Sequence, residues 1–534
     1  MLPRLCITPV RRRVAPLLAA AIVGLNFGLI APRPAVAGPE TYRIEGGGFG
    51  HGVGMSQYGS KGMADAGYGY ADILRHYYSG AAVSSRTGSP LRIWLNDDTT
   101  APMETTLTAG GNVEVTLSTS QTVARATSGQ RIRIAVVNGA FEVYVNDAKV
   151  AGPVGGGDVR MAVHFENGGG PITLDKTGYR YRYGILELTG TASLLRIVLA
   201  DLQMQEYLYG LGEVPSSWNI NALKAQVLAA RTYALEKQGR LGNTRADCSC
   251  TLWGDVRDQN YVGYEKELGT GAANWKAAVD QTNTEVITYN GNLIQAFYSS
   301  SSGGHTENSE NVFVEALPYL RGVPDPHDAT AANSLHKWVR DISRADMERW
   351  LNTSSSTAVG TLDRIEFVSP FGVSGRVIKV LDSNRGGVRI VGSSGTKRVS
   401  GDTFRGVINR ASGSFTKLPS ALMHLDGWPA YDPAFTGGVF VTAGKLLGPS
   451  DPDRIVTGAD SGGGPHVRTF TQSGTAVGGF FAYDTRFTGG VRVTTCNLFG
   501  DGAPYEIITA PGAGGGPHVR IWSANGDAVR GFMA

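Results

Sequence analysis

The chain has 534 residues, 42% hydrophobic and 18% charged, enough apolar content for two to four domains with cores of ordinary size. Its formal charge of +3 is misleading, because Arg4, Arg11, Arg12, Arg13 and Arg33 fall within residues 1–37 with no acid among them, and subtracting these five leaves −2. That balance removes the electrostatic case for a nucleic-acid partner, and 73 glycines, about twice the usual share, imply many tight turns.

The first element is an export leader. Arg11-Arg12-Arg13 precede the apolar run "VAPLLAAAIVGLNFGLIA", and Ala35-Val36-Ala37 offers small residues for cleavage, so residues 1–37 are expected to be a signal peptide and the mature protein to be secreted. An uncleaved anchor is the alternative; Pro16, Asn26 and a run short of about 20 residues argue against it, and the cleaved protein is not expected to be integral to a membrane. Beyond the leader only Cys248, Cys250 and Cys496 remain, too few for a disulfide framework, with Cys248-Ser249-Cys250 either a short bridge or two thiols.

Residues 46–80 follow, "GGGFGHGVGMSQYGSKGMADAGYGYADILRHYYSG", too rich in glycine for a core and too orderly for a linker. They contain no G-x-G-x-x-G or G-K-S/T nucleotide loop. Residues 86–177 read as a β-rich domain: "LRIWLN", "VEVTLS", "RIRIAVV" and "FEVYVN" alternate at period two between turns such as Asn138-Gly139. Helical signals begin at "SSWNINALKAQVLAARTYALEKQG", with Ser216 or Ser217 as cap, Ala222, Leu223, Val227, Ala230 and Ala234 as one apolar stripe, and Gly239 as the stop. A second helix is predicted at "ANWKAAVDQT", a hairpin around Asn290-Gly291, and strands in "LDRIEFVSP" and "SGRVIKVLD". The mixture indicates an α+β fold.

From Tyr431 and from Tyr483 two units align without a gap at a period of 52 residues, about half the positions identical. Each alternates short β runs with glycine turns and reads as a small antiparallel sheet that must stack on a neighbour. The units resemble FG-GAP, integrin-α-like propeller repeats, and residues 419–534 are assigned to them. Two units are fewer than a closed propeller needs. The calcium loop that this resemblance implies is partial: Asn497 and Asp501-Gly502 are present in the second unit, Lys445 and Pro449 stand at the matching places of the first.

Glu213 occupies a Gly-Glu-Val-Pro turn ahead of the predicted helix. Alone, it reads either as a partner of the helix dipole or as a carboxyl whose partly apolar turn raises its pKa toward working pH. The run "EVPSSWNINALKAQVLAARTYAL" resembles the SpoIID/LytB family, and "DQNYVGY" (258–264), "AFYSSSSGGHTENSENVF" (296–313) with "PYLRGVPDP", and "VSGDTFRGVIN" (399–409) follow in family order, covering roughly residues 178–418. Family members carry "GHGVGMSQ" and its "IL..YY.G" continuation late in the domain. Here these motifs stand at 50–59 and 73–80, so residues 38–85 read as a permuted piece, and 46–80 are expected to fold back beside Glu213.

The resemblance implies a SpoIID-like catalytic domain with an all-β insertion, and a lytic transglycosylase reaction on peptidoglycan glycan strands with Glu213 as the catalytic acid and base. His51, Gln57, Gln226, Arg231 and Gln259 would bind substrate, together with Ser300, Ser301, Ser302, Thr306 and Asn308; Tyr58, Trp218 and Tyr261 would stack on sugar rings. Gln226 and Arg231 equally suit bracing of the helix, and His51 suits a hydrogen-bonded fold histidine. Some family members hold zinc with two cysteines, but Asp258 takes the place of the second, so no metal and no cofactor are expected. The serine run lacks G-x-S-x-G, which argues against a serine hydrolase. Two other functions compete: a non-catalytic enhancer of a cell-wall amidase, as on the LytB side of the family, and a surface adhesion protein.

Overall fold

The computed structural model describes residues 41–95, 103–155, 160–165, 170–190, 194–313, 315–425, 430–431, 435, 437–450, 452–472, 476–500 and 504–534. The expected leader and Asp501-Gly502 of the expected calcium loop lie outside them. The chain divides into two compact bodies, Thr41–Leu425 and one built on Asp426–Ala534. Among the described residues no helix is long and apolar enough to cross a membrane.

Period-two patterning produces the β layer of the first body. Glu104–Ala109 and Ile185–Gly190 bury every second residue, as strands with one inward face must. One sheet runs in the order Ala148–Val154, Ala140–Val145, Arg131–Val137, Glu104–Ala109, Ile172–Leu174, Tyr179–Tyr181. The other runs Leu252–Trp253, Leu91–Trp94, Leu195–Leu202, Ile185–Gly190, Met161–Phe165, Val113–Leu117, Thr122–Ala126. Leu107, Ile134 and Val143 of the first sheet and Val115, Val163 and Ile197 of the second join a single core. Both sheets draw strands from either side of position 178, so the family-like stretch begins inside the β layer.

The helix Ile220–Leu241 is capped by Asn219, whose side chain accepts from the Asn221 N–H at 3.0 Å. Ser216 and Ser217, the expected caps, instead lie in a turn closed by the Trp218 N–H on the Pro215 carbonyl at 3.2 Å. Gly239 does not stop the helix either; it is an exposed helical residue with open space around it, and the chain turns out at Gly242 with φ +76°. The helix buries two faces rather than one stripe: Leu223, Val227, Ala230 and Ala234 enter the β-layer core, while Ala222, Ala225, Leu228 and Ala229 enter a second core. Asn219 also donates from Nδ2 to the Ala64 carbonyl at 3.1 Å. Asn219→Ala is expected to cost about 1 kcal/mol or somewhat more, measured as a lowered urea midpoint at unchanged m-value.

The second core is built largely by the glycine-rich segment. Ser56 caps Gln57–Asp65 by accepting from the Gly59 N–H at 3.1 Å, and Val53, Met55, Met63, Ile73, Leu74 and Tyr77 pack on the helix Ile220–Leu241. Ahead of it, Thr41–Gly46 is the central strand of a sheet, antiparallel to Trp338–Ser343 on one side and Met423–Leu425 on the other. The start of this body therefore lies against its end.

The hairpin at Asn290-Gly291 forms with both residues at positive φ, 49° and 76°, the conformation of a type I′ turn. "SGRVIKVLD" is not a strand. Its hydrogen bonds go to separate partners, the Val377 N–H to Ala421, the Lys379 N–H to Asn311 and the Arg376 guanidinium to Ser302 and His305, leaving no ladder to extend. The strand Leu362–Phe367 pairs instead with Val388–Gly392, which pairs with Gly395–Val399.

The second body contains two four-stranded antiparallel sheets, each in sequential order. Val439–Gly444, Arg454–Ala459, His466–Phe470 and Ala476–Phe481 recur as Val491–Cys496, Glu506–Pro511, His518–Trp522 and Ala528–Met533. Leu446, Val456 and Val467 of the first unit share a core with Val491, Ile507 and Trp522 of the second, so the repeats stack as their patterning demands.

Candidate functional site

Backbone pairing places Glu213. Leu211 forms an antiparallel bridge with Tyr261, and the Gly212 N–H donates to the Asn260 carbonyl at 2.7 Å. This register aims the Asn260 N–H at Glu213 Oε1, 2.7 Å away. From the glycine-rich segment the Gln57 amide donates to Oε2 at 3.3 Å, and Tyr298 lines the same cavity as the carboxyl. Glu213 thus bonds across to distant segments, not to the helix start, where Asn219 already serves; the dipole-partner account does not describe it.

The carboxyl faces a cavity of about 670 Å³, lined by Phe49, Gly50, His51 and Gln57 from the glycine-rich segment, Tyr233 from the long helix, Val256, Arg257, Asp258 and Asn260, and Phe297 to Ser300 with Phe313. Burial raises the Glu213 pKa above the ordinary carboxyl value, opposed by the Asn260, Gln57 and Tyr298 donors and by the Lys266 ammonium. Burial likewise lowers the His51 pKa to about 4. His51 is therefore neutral at working pH, its Nδ1 accepts from the Val53 N–H at 3.0 Å, and its ring meets Phe297 and Phe313 edge-on at 6.1 and 5.4 Å. On the rim, Val256 is 91% exposed and the Arg257 guanidinium lies 3.5 Å over Trp253.

Among the residues singled out by sequence, Glu213, His51, Gln57 and Ser300 line the cavity. The rest lie elsewhere. Tyr58 and Trp218 pack on each other at 5.4 Å, and Tyr261 is enclosed between Tyr181 and Tyr207. Arg231 is buried and braces the fold, donating to the carbonyls of Thr282 and Glu285 and to Gln205. Gln226 is buried, and its amide has no hydrogen bond among the described residues. Gln259 bonds Tyr207, Tyr298 and the Ala230 carbonyl.

Ser301 and Ser302 donate to the buried carboxylates of Asp328 and Asp325. Thr306 accepts from the Val323 N–H, and Asn308 from the Gly322 N–H. These groups tie residues 300–308 to 322–328. Ser56 Oγ and the Tyr77 hydroxyl reach the same two carboxylates at 2.7 and 2.8 Å, stitching the glycine-rich segment into the site. Gly52 completes the fit: at φ +74° its missing Cβ would lie 2.2 Å from Arg376 Cζ, so no side chain is admissible.

Asn260 and Tyr298 are the members that sequence reasoning passed over. Both lie inside recognised blocks, but Asn260 acts through its backbone, which no side-chain pattern reports. A zinc site is not supported by these residues. Cys248 and Cys250 are bonded to each other, Asp258 is held by Tyr233, Lys237 and the Trp253 N–H, and no group of three or more metal-binding side chains suited to an ion occurs among the described residues.

Comparison with known proteins bears on this same stretch. Residues 196–289 match the SpoIID family model, stage II sporulation protein. The SpoIID-like segment thus contains Glu213, the long helix and Asn260, while the GHGVGMSQ block that completes the cavity lies outside the match. The chain is 35% identical over 159 residues to the amidase enhancer of Bacillus subtilis, covering 29% of this chain and 20% of that protein. It is 28% identical over 177 residues to stage II sporulation protein D of the same organism, covering 30% and 50% respectively. With stage II sporulation protein D of Bacillus amyloliquefaciens it shares 33% over 144 residues, 25% of this chain and 42% of that one. The chain spans half or less of the length of these relatives.

Proposed function

We propose that the protein is secreted and cuts the glycan strands of peptidoglycan by a lytic transglycosylase reaction in cell-wall remodelling. Protonated Glu213 gives its proton to the glycosidic oxygen as the bond to C1 breaks, the bonding pair leaving with that oxygen. The resulting carboxylate then takes the proton of the muramic acid 6-hydroxyl as that oxygen bonds to C1. Water is not the nucleophile, so one carboxyl suffices. The observation that carries this reading is the half-buried Glu213 carboxyl, of raised pKa, facing a 670 Å³ cavity and gripped from two distant segments.

A second reading rests on the relative named amidase enhancer: a groove that binds glycan and stimulates a separate amidase without cutting. Mass analysis of purified peptidoglycan after digestion separates the two. Anhydro-muramic ends are the expected product; unchanged glycans with a faster amidase in mixture would establish the enhancer instead.

The C-terminal sheets, read as FG-GAP-like repeats, would hold the enzyme on the wall or on a partner. Removing residues 426–534 is expected to leave cleavage of soluble glycan intact and to reduce the fraction that sediments with whole walls.

A further inference from the structure

Gln259 points its amide nitrogen at Tyr298, and the orientation is fixed by its neighbours. The Ala230 carbonyl, 3.4 Å from Nε2, can only accept, so the nitrogen must face it. The Tyr207 hydroxyl donates to Oε1 at 2.7 Å, and Nε2 donates to the Tyr298 oxygen at 2.8 Å. With its oxygen already accepting, Tyr298 can direct its proton at another group, and the Glu213 carboxyl lines the same cavity wall as an acceptor for it. Tyr207 and Gln259 are both buried, so solvent does not compete for this chain of bonds.

From this geometry we infer that Tyr298 is a further catalytic residue of the proposed reaction, a donor committed to Glu213 that stabilises the carboxylate formed when the glycosidic oxygen takes its proton, with Gln259 and Tyr207 as positioning residues. Tyr298 keeps its proton throughout. Its bond is strongest when Glu213 carries full charge, so it favours the transition state over the protonated ground state. The inference rests on the transglycosylase reading above.

Tyr298→Phe removes the hydroxyl and keeps the ring. The expected result is a loss of about ten- to a hundredfold in kcat with little change in KM. The alkaline limb of the pH profile should move to higher pH, because losing a donor to the carboxylate favours its protonated form. Gln259→Leu, which leaves Tyr298 in place but frees its oxygen, should move both readouts the same way by less. A folded Tyr298→Phe with wild-type kcat and an unmoved limb overturns the inference. Carbon-13 titration of the Glu213 carboxyl reads the bond without turnover. If the wild type makes no anhydro ends, the proposed function fails, and an upward-shifted titration in Tyr298→Phe still upholds the bond; an unshifted one removes it. Should Tyr298→Phe not fold, Gln259→Leu is judged by the same titration and the same criterion.

Discussion

Glu213→Gln should abolish the release of anhydro-muramic ends, by about a thousandfold or more, while leaving the protein as stable as before or slightly more so at neutral pH. The amide keeps an oxygen for the Asn260 N–H, now 2.7 Å from Oε1, but has no proton to lend and cannot accept one at working pH. The stability half follows from linkage. A carboxyl whose folded pKa is raised binds more protons in the native than in the unfolded state, so its contribution falls as pH climbs from the unfolded value through the folded one. The neutral amide escapes that penalty. Thermal midpoints at pH 5 and pH 8 check it: the variant should gain on the wild type at the higher pH. A large drop instead would mean that the carboxylate holds the turn together and that the chemistry lies elsewhere.

The largest stability effect is expected at Asp328. Its fully buried carboxylate accepts from Ser56 Oγ and Ser301 Oγ at 2.7 Å, from the Ser302 and Gly303 N–H groups at 3.1 and 3.0 Å, from Asn333 Nδ2 at 3.1 Å, and bonds His336 Nδ1 at 2.8 Å. Asp328→Ala strands these groups in a space closed to water, at a cost of roughly 3–5 kcal/mol read from urea unfolding. Because Ser56 directly precedes Gln57, cleavage should fall as well. Asp328→Asn, which keeps one acceptor oxygen, should lie between. A near-neutral Asp328→Ala would show that the glycine-rich segment is held without this carboxylate.

What could be read from the sequence divides along physical lines. Local periodicity was enough for the strands of residues 91–145, the long helix and the Asn290-Gly291 hairpin, since the side-chain pattern of each is set within a few positions even where its pairing partner is distant. The helix cap was misassigned because Pro215 closes a turn over Ser216 and Ser217 that apolar spacing does not register. "SGRVIKVLD" has strand-like alternation, yet its backbone partners lie in three separate segments. At the site, Glu213, Gln57, His51 and Ser300 were found as motif residues. Arg231 and Gln259 belong to equally clear motifs, and the structure puts both behind the cavity wall, one binding carbonyls of the 282–285 turn and the other steering a tyrosine. A motif marks a residue the fold needs; only the packing says whether it meets substrate.

The strand Thr41–Gly46 has its neighbours at 338–343 and 423–425. As the polypeptide emerges from the ribosome, that strand waits about three hundred residues for its first neighbour and nearly four hundred for its second. The GHGVG ribbon attached to it finds partners at 297–301 and 328 somewhat earlier. A nascent or truncated product ending short of Met423 would therefore leave one edge of this strand open.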